Sequence, residues 1–144
     1  MDGNPITQHK HYIARTELRR FYGQDEEEAF GEWLTDLVDA MDMKLLSGPH
    51  MAYVTRPGLQ GWTGVCIIET SHIAIHVWDE EEVILAQLDV YTCGEMNTEA
   101  IVNHMDRFDP YKIEFLLLDR EHSMEEIERA TLVYDAYSGE DHED

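Results

Sequence analysis

The sequence predicts an α+β fold, a two-layer sandwich in which a mainly antiparallel sheet, ordered β-α-β-β-β-α-β, carries two helices on one face. Three observations predict it. Phe30, Trp33, Leu34, Leu37, Val38 and Met41 recur at spacings of three and four, which gives a helix one apolar stripe. Ile101, Val102, Met105 and Phe108 give a second helix its apolar face. The remaining apolar runs are short and joined by hairpin-like links, the mark of an antiparallel sheet covered on one side.

Taken in order, residues 1–10 are polar and expected to be loose. Residues 11–18 alternate imperfectly and read as a first strand. Asp25, Glu26, Glu27 and Glu28 place acids where a helix N-terminus favours them, opening the first helix. Leu45 to Thr55 reads as the second strand, and the Pro57-Gly58 pair marks residues 56–61 as a loop. Gly64 to Ile68 is the third strand, which residues 71–78 continue or restart. Residues 79–82 form a charged turn, and Val83 to Thr92 the next strand. Asn97 or Thr98 can cap the second helix, which Asp109-Pro110 stops. Ile113 to Leu118 is the last strand, residues 123–137 a short helix, and residues 138–144 an acidic tail. No internal repeat or linker interrupts residues 1–144, which read as a single domain. Helices on one face leave the other needing cover, and a homodimer stacking two sheets in an αββα arrangement would supply it.

Charge narrows the function. Ten Lys and Arg face 31 Asp and Glu, a net charge of -21. Nucleic acid is excluded as a partner, because binding it requires cations to neutralise phosphates. The acidic surface reads first as solvation and second as a field favouring a cationic ligand. No run of 18 apolar residues exists to span a membrane, and the N-terminal residues lack the apolar stretch of a secretory signal, so a cytoplasmic location is expected. Cys66 sits in an apolar run and reads as a small buried hydrophobe; Cys93 lies at a strand end, and no disulfide between them is expected.

The informative stretch runs from Gly61 to Gly94, where a serine, two histidines and a cysteine fall along adjacent strands. A metal site on His72 and His76 fails on geometry. Both lie on a strand, roughly 13 Å apart at ~3.3 Å per residue, too far to share one ion. A Ser-His hydrolase fails on the motif, since Ser71 has no flanking glycine elbow. Each histidine taken singly reads as an ordinary strand residue.

The combination is more specific. Ser71-His72-Ile73-Ala74-Ile75-His76-Val77-Trp78-Asp79-Glu80, then Leu88-Asp89-Val90-Tyr91-Thr92-Cys93-Gly94, resembles the signature of the short, prokaryotic-type S-adenosylmethionine decarboxylases. The family pattern is Glu-Ser-His-x-x-Ile-His-Thr-Trp-Pro-Glu followed by Asp-x-Phe-Thr-Cys-Gly. The resemblance implies a proenzyme that cuts itself between Thr70 and Ser71 into a β chain, 1–70, and an α chain, 71–144. It implies that Ser71 becomes a pyruvoyl cofactor, whose ketone forms a Schiff base with the substrate amine and acts as electron sink when carbon dioxide leaves. The substrate implied is S-adenosylmethionine, and the product the aminopropyl donor for spermidine. By the same resemblance His76 removes the serine α-proton, Thr63 supplies a hydroxyl to the cyclic intermediate, and Cys93 reprotonates the substrate carbon. Glu80 and Trp78 fall at the substrate. Acidic and aromatic residues suit a sulfonium; of Trp62, Trp78 and Tyr91, at least two are expected in the core.

Parity makes one demand on the structure. Ser71 and His76 are five residues apart and face opposite sides of a regular strand, so a shared site needs a break or bulge near Ser71. The sequence also departs from the pattern. Thr70 stands where the family has Glu, Asp79 where it has Pro, and the loop after Glu80 is about two residues longer than the family pattern. Two other readings stay open: a pyruvoyl decarboxylase acting on ornithine or arginine, and an uncleaved, non-catalytic regulatory paralogue.

Overall fold

The computed structural model describes residues 8–135. Its elements are β1 (Lys10–Leu18), α1 (Glu27–Ala40), β2 (Leu45–Val54), β3 (Gly61–Ile68), β4 (Ser71–Trp78), β5 (Ile84–Thr92), α2 (Thr98–Met105), a single 3₁₀ turn (Asp106–Phe108), β6 (Pro110–Asp119) and β7 (Glu125–Val133). The seven strands form one antiparallel sheet in the order β2-β3-β4-β5-β1-β6-β7.

The apolar stripe of α1 packs as its spacing predicts. Phe30, Trp33, Leu34, Leu37 and Val38 are buried. Each such side chain contributes roughly 1.5–3 kcal/mol by leaving water. Gly64 lets α1 lie close to β3: a Cβ there would stand 2.8 Å from both Phe30 and Leu34. α2 is capped by the Asn97 side chain, which accepts from the Ala100 N–H at 3.0 Å. It is clamped to α1 by a reciprocal pair: the Trp33 indole donates to the His104 carbonyl at 3.1 Å, and His104 Nε2 donates to the Trp33 carbonyl at 3.0 Å. Trp33 is thus a core residue.

Gly64 pairs with Ile75, so Ile73, Ile75 and Val77 face the helices and His72, Ala74, His76 and Trp78 face the other side. Among the described residues that side carries no helix. It is a shallow trough of about 510 Å³ lined by Ile13, Arg15, His72, His76, Asp89 and Leu116, among others.

Four expectations need correction. Residues 125–133 are a strand, not a helix. They pair with β6, whose edge would otherwise be open, and turn Ala130 and Leu132 onto the core. Residues 71–78 are a strand of their own, hairpinned back on β3, so the helices are separated by four strands and the order is β-α-β-β-β-β-α-β-β. Lys10 already belongs to β1, since it pairs with both Thr92 and Asp119. β3 starts at Gly61 rather than Gly64, so the loop before it ends at Gln60. The predicted acidic tail and residues 1–7 lie outside the described residues. Among the described residues no helix is long and apolar enough to cross a membrane.

Candidate active site

Ile68 and Ser71 pair across a two-residue turn, Glu69-Thr70, so the Thr70–Ser71 peptide is the last joint of a tight hairpin. Such turns favour residues that tolerate positive φ, and neither Glu69 nor Thr70 is a glycine or asparagine. The distortion falls on Ser71, whose φ is +156°. The parity argument asked for a break near Ser71; the structure has this backbone distortion and no register shift along β4.

The Thr70 carbonyl is gripped from the turn after β5. It accepts the Cys93 backbone N–H at 3.1 Å and the Cys93 thiol at 3.3 Å. The Thr70 hydroxyl accepts from the Thr92 hydroxyl at 2.8 Å, and Thr92 Oγ1 in turn accepts the Gly94 N–H at 3.0 Å. Thr92 is fully buried. A relay thus fixes the residue before Ser71 through the turn that carries Cys93. Two donors on one carbonyl polarise it and stabilise an oxygen that becomes negative.

His76 and Thr63 form a separate pair. They are opposite each other in β3 and β4, with Thr63 Oγ1 3.2 Å from His76 Nδ1, on the helix-free face. Along the hairpin they lie five positions from the Ile68–Ser71 pair, about 16 Å at ~3.3 Å per residue. One chain therefore joins Thr70, Ser71 and Cys93, and joins Thr63 to His76, without bringing the two groups together.

Trp78 is half-buried on the helix-free face near His76. Glu80 binds the neighbouring loop, accepting the Gly58 N–H on both oxygens at 2.7 and 3.0 Å. Asp79, in the family's proline position, accepts from Tyr53 at 2.9 Å and Gln60 at 3.0 Å. Burial, and then the bond to Asp79, push the Tyr53 hydroxyl above its ordinary range. Of the three aromatics considered for stacking, only Trp62 is core; its indole donates to the Gly23 carbonyl at 3.0 Å. Trp78 and Tyr91 are half-buried, because both point to the side without helices. Both cysteines are free thiols. Burial pushes the Cys66 thiol up to about 11, which leaves it inert beside half-buried Cys93.

Sequence reasoning missed two features. One is Thr92, read only as a strand end. The other is a polar chain beside the hairpin. Arg120 donates to His11 Nδ1 at 3.0 Å, which leaves the proton on Nε2, and that nitrogen meets Asp89 at 2.7 Å. Asp89 also stands 3.4 Å from His72. The residues come from β1, β4, β5 and the end of β6, so no local pattern announces them.

On the other side of the hairpin joint is a cavity of about 590 Å³, lined by Asp42, Lys44, Glu69, Thr70, Thr92 and Glu95, among others. Three acids against one lysine favour a cation there.

The family match and the relatives below place the chain in the class of small α+β decarboxylases made as proenzymes. Over 115 residues it is 26% identical to the S-adenosylmethionine decarboxylase proenzyme of Archaeoglobus fulgidus, covering 75% of this chain and 97% of that one. Over 113 residues it is 28% identical to the arginine decarboxylase proenzyme of Ignicoccus hospitalis, covering 75% of this chain and 68% of that one. The crystal structure of the adenosylmethionine decarboxylase from Aquifex aeolicus superimposes with a TM-score of 0.57 at 26% identity, covering 85% of this chain and 94% of that one. The family model described as S-adenosylmethionine decarboxylase matches residues 21–121, and the chain belongs to that family.

Proposed function

We propose that the chain cuts itself between Thr70 and Ser71 and, with the pyruvoyl group so formed, decarboxylates S-adenosylmethionine to the aminopropyl donor for spermidine synthesis. The observation that carries this reading is the Thr70 carbonyl, held by the Cys93 N–H and thiol at the distorted joint of a hairpin.

Processing follows from that geometry. Ser71 Oγ adds to the Thr70 carbonyl carbon while the two Cys93 donors steady the oxygen. The Thr70–Ser71 C–N bond breaks, leaving an ester. A base removes the Ser71 α-proton, the Cβ–Oγ bond breaks, and Thr70 leaves as a carboxylate carrying both oxygens. The dehydroalanine left at residue 71 takes up water and releases ammonia to give the ketone. Thr70 in place of Glu leaves this path open, because only its carbonyl reacts and its hydroxyl is held by Thr92.

Once formed, the pyruvoyl group supplies the electron sink that ordinary side chains lack. The chain's own residues do the rest. Cys93 holds a proton on sulfur beside residue 71 and returns it to the substrate carbon. The acid-lined cavity takes a positively charged substrate.

His76 supplies the base and Thr63 a hydroxyl, and both come from a second copy. Within one chain they stand about 16 Å from Ser71, while a general base must come within roughly 3 Å of its proton. A homodimer stacked on the helix-free faces covers the trough and delivers the partner's pair.

Intact mass tests the reading. The wild-type protein gives two fragments divided at 70/71, the second blocked to Edman sequencing. Ser71→Ala gives one full-length mass and releases no carbon dioxide from substrate. A wild-type protein that stays whole, as a regulatory paralogue would, overturns it.

A second reading has its own support. The relative from Ignicoccus hospitalis is an arginine decarboxylase proenzyme, and an acid-lined cavity suits arginine or ornithine as well as a sulfonium. Carbon dioxide release from each labelled substrate decides between them.

A further inference from the structure

We propose that self-cleavage also creates the group that holds the proton on Cys93: the new C-terminal carboxylate of Thr70. This rests on the proposed cleavage and adds a positioning role that the uncut chain lacks.

In the uncut chain the Cys93 thiol donates to a neutral amide carbonyl at 3.3 Å. The same oxygen takes the Cys93 N–H at 3.1 Å. When the ester eliminates, that oxygen stays with Thr70 and becomes half of a carboxylate. The anchors that fix Thr70 are not consumed. The Cys93 N–H still points at its oxygen, and its hydroxyl still meets Thr92, which is buried and tied to Gly94. The carboxylate therefore stays against the sulfur.

A full negative charge at this distance acts on the thiol in two ways. It accepts the S–H hydrogen bond more strongly than an amide oxygen does. It also opposes formation of a second negative charge beside it. Both keep the proton on sulfur. That state suits a residue that must donate a proton after carbon dioxide leaves, and the free chain end is available only after the cut that makes the enzyme active.

Other titratable groups near the site are Asp42, Lys44, Glu69 and Glu95, which line the adjoining cavity, Lys10, which pairs with Thr92, and, in the proposed dimer, the partner's His76. They are the same before and after cleavage, and the ketone formed at residue 71 is neutral, so a comparison of cut and uncut protein isolates the charge of the new carboxylate. Cys66, fully buried and with its thiol pushed up to about 11, does not interfere below that pH.

The test is alkylation of Cys93 by iodoacetamide as a function of pH, read by peptide mass. It compares wild-type protein, with cleavage confirmed by intact mass, against uncut Ser71→Ala. Uncut Ser71→Gly, which has no hydroxyl to attack Thr70 and leaves His76 in place, serves as a second reference. The expected result is that the pH of half-maximal reactivity lies about one unit or more higher in the cut protein than in both references. Cut protein with the same or a lower midpoint overturns this inference and leaves the decarboxylase reading standing. Wild-type protein that is never cut overturns both.

Discussion

Co-expression of Ser71→Ala with His76→Ala separates a shared site from a self-contained one. The first variant keeps Thr63 and His76 but has no serine to cut. The second keeps Thr70, Ser71 and Cys93 but lacks the proposed base. The two groups lie five strand positions apart in one chain, about 16 Å, so neither variant completes a site alone. In a face-to-face dimer the mixed pair regains one complete site and carries one doubly broken site. Random pairing at equal expression makes half of all dimers mixed, so about a quarter of wild-type sites are restored. Purification through a different tag on each chain isolates the mixed dimers, in which about half the sites work. Two readouts follow. Intact mass shows fragments from the His76→Ala chain alone, because only that chain has Ser71. Carbon dioxide release rises from none to about half of wild type per dimer. Mixed dimers that stay uncut refute the exchange of residues between copies. His76→Ala alone cutting at the wild-type rate refutes His76 as the base.

Three further outcomes are expected. Thr92→Val removes the hydroxyl linking Gly94 to Thr70; it slows cleavage about tenfold or more, whereas Thr92→Ser restores it, as followed by gel over time. Gly61→Ala destabilises the fold by about 3 kcal/mol or more, because Gly61 has φ +145° and a Cβ there would stand 1.8 Å from the Val77 carbonyl oxygen; urea denaturation measures the loss. Tyr12→Phe stabilises the protein by about 1 kcal/mol, since among the described residues the buried Tyr12 hydroxyl has no hydrogen-bond partner. Burial also drives that hydroxyl's pKa above its ordinary 10.0. Its contribution to stability is complete below the unfolded value and lost as pH rises toward the folded one, so the denaturation midpoint of wild type falls more steeply above pH 10 than that of Tyr12→Phe.

What could be read from the sequence was whatever repeats at short range. The stripe from Phe30 to Met41 repeats every three or four residues, and its residues are buried together. β7 was misread because its first five residues, Glu125 to Arg129, are mostly charged and suit a helix equally well, and its inward residues Ala130 and Leu132 fall only near its end; an unpaired β6 edge decided the outcome, and an edge is a property of the sheet. The hairpin joint was hidden for a related reason. Glu69-Thr70 has no turn residue to mark it, and the distortion it requires is borne by Ser71. The motif named Ser71 and Cys93 but not their relation. The bond from Cys93 to the Thr70 carbonyl spans 23 residues, and that from Arg120 to His11 spans 109. Such contacts exist only once strand order is set.

The departure of Thr70 from the family pattern becomes intelligible in the same terms. A β-branched residue before the serine crowds the carbonyl, but its hydroxyl is what Thr92 holds. The substitution exchanges a flexible acid for a group pinned by a buried partner, and so fixes the carbonyl where Cys93 can reach it. On the proposed cleavage, the turn after β5 would serve the chemistry twice, first by orienting the bond to be cut and then by holding the chain end that the cut leaves behind.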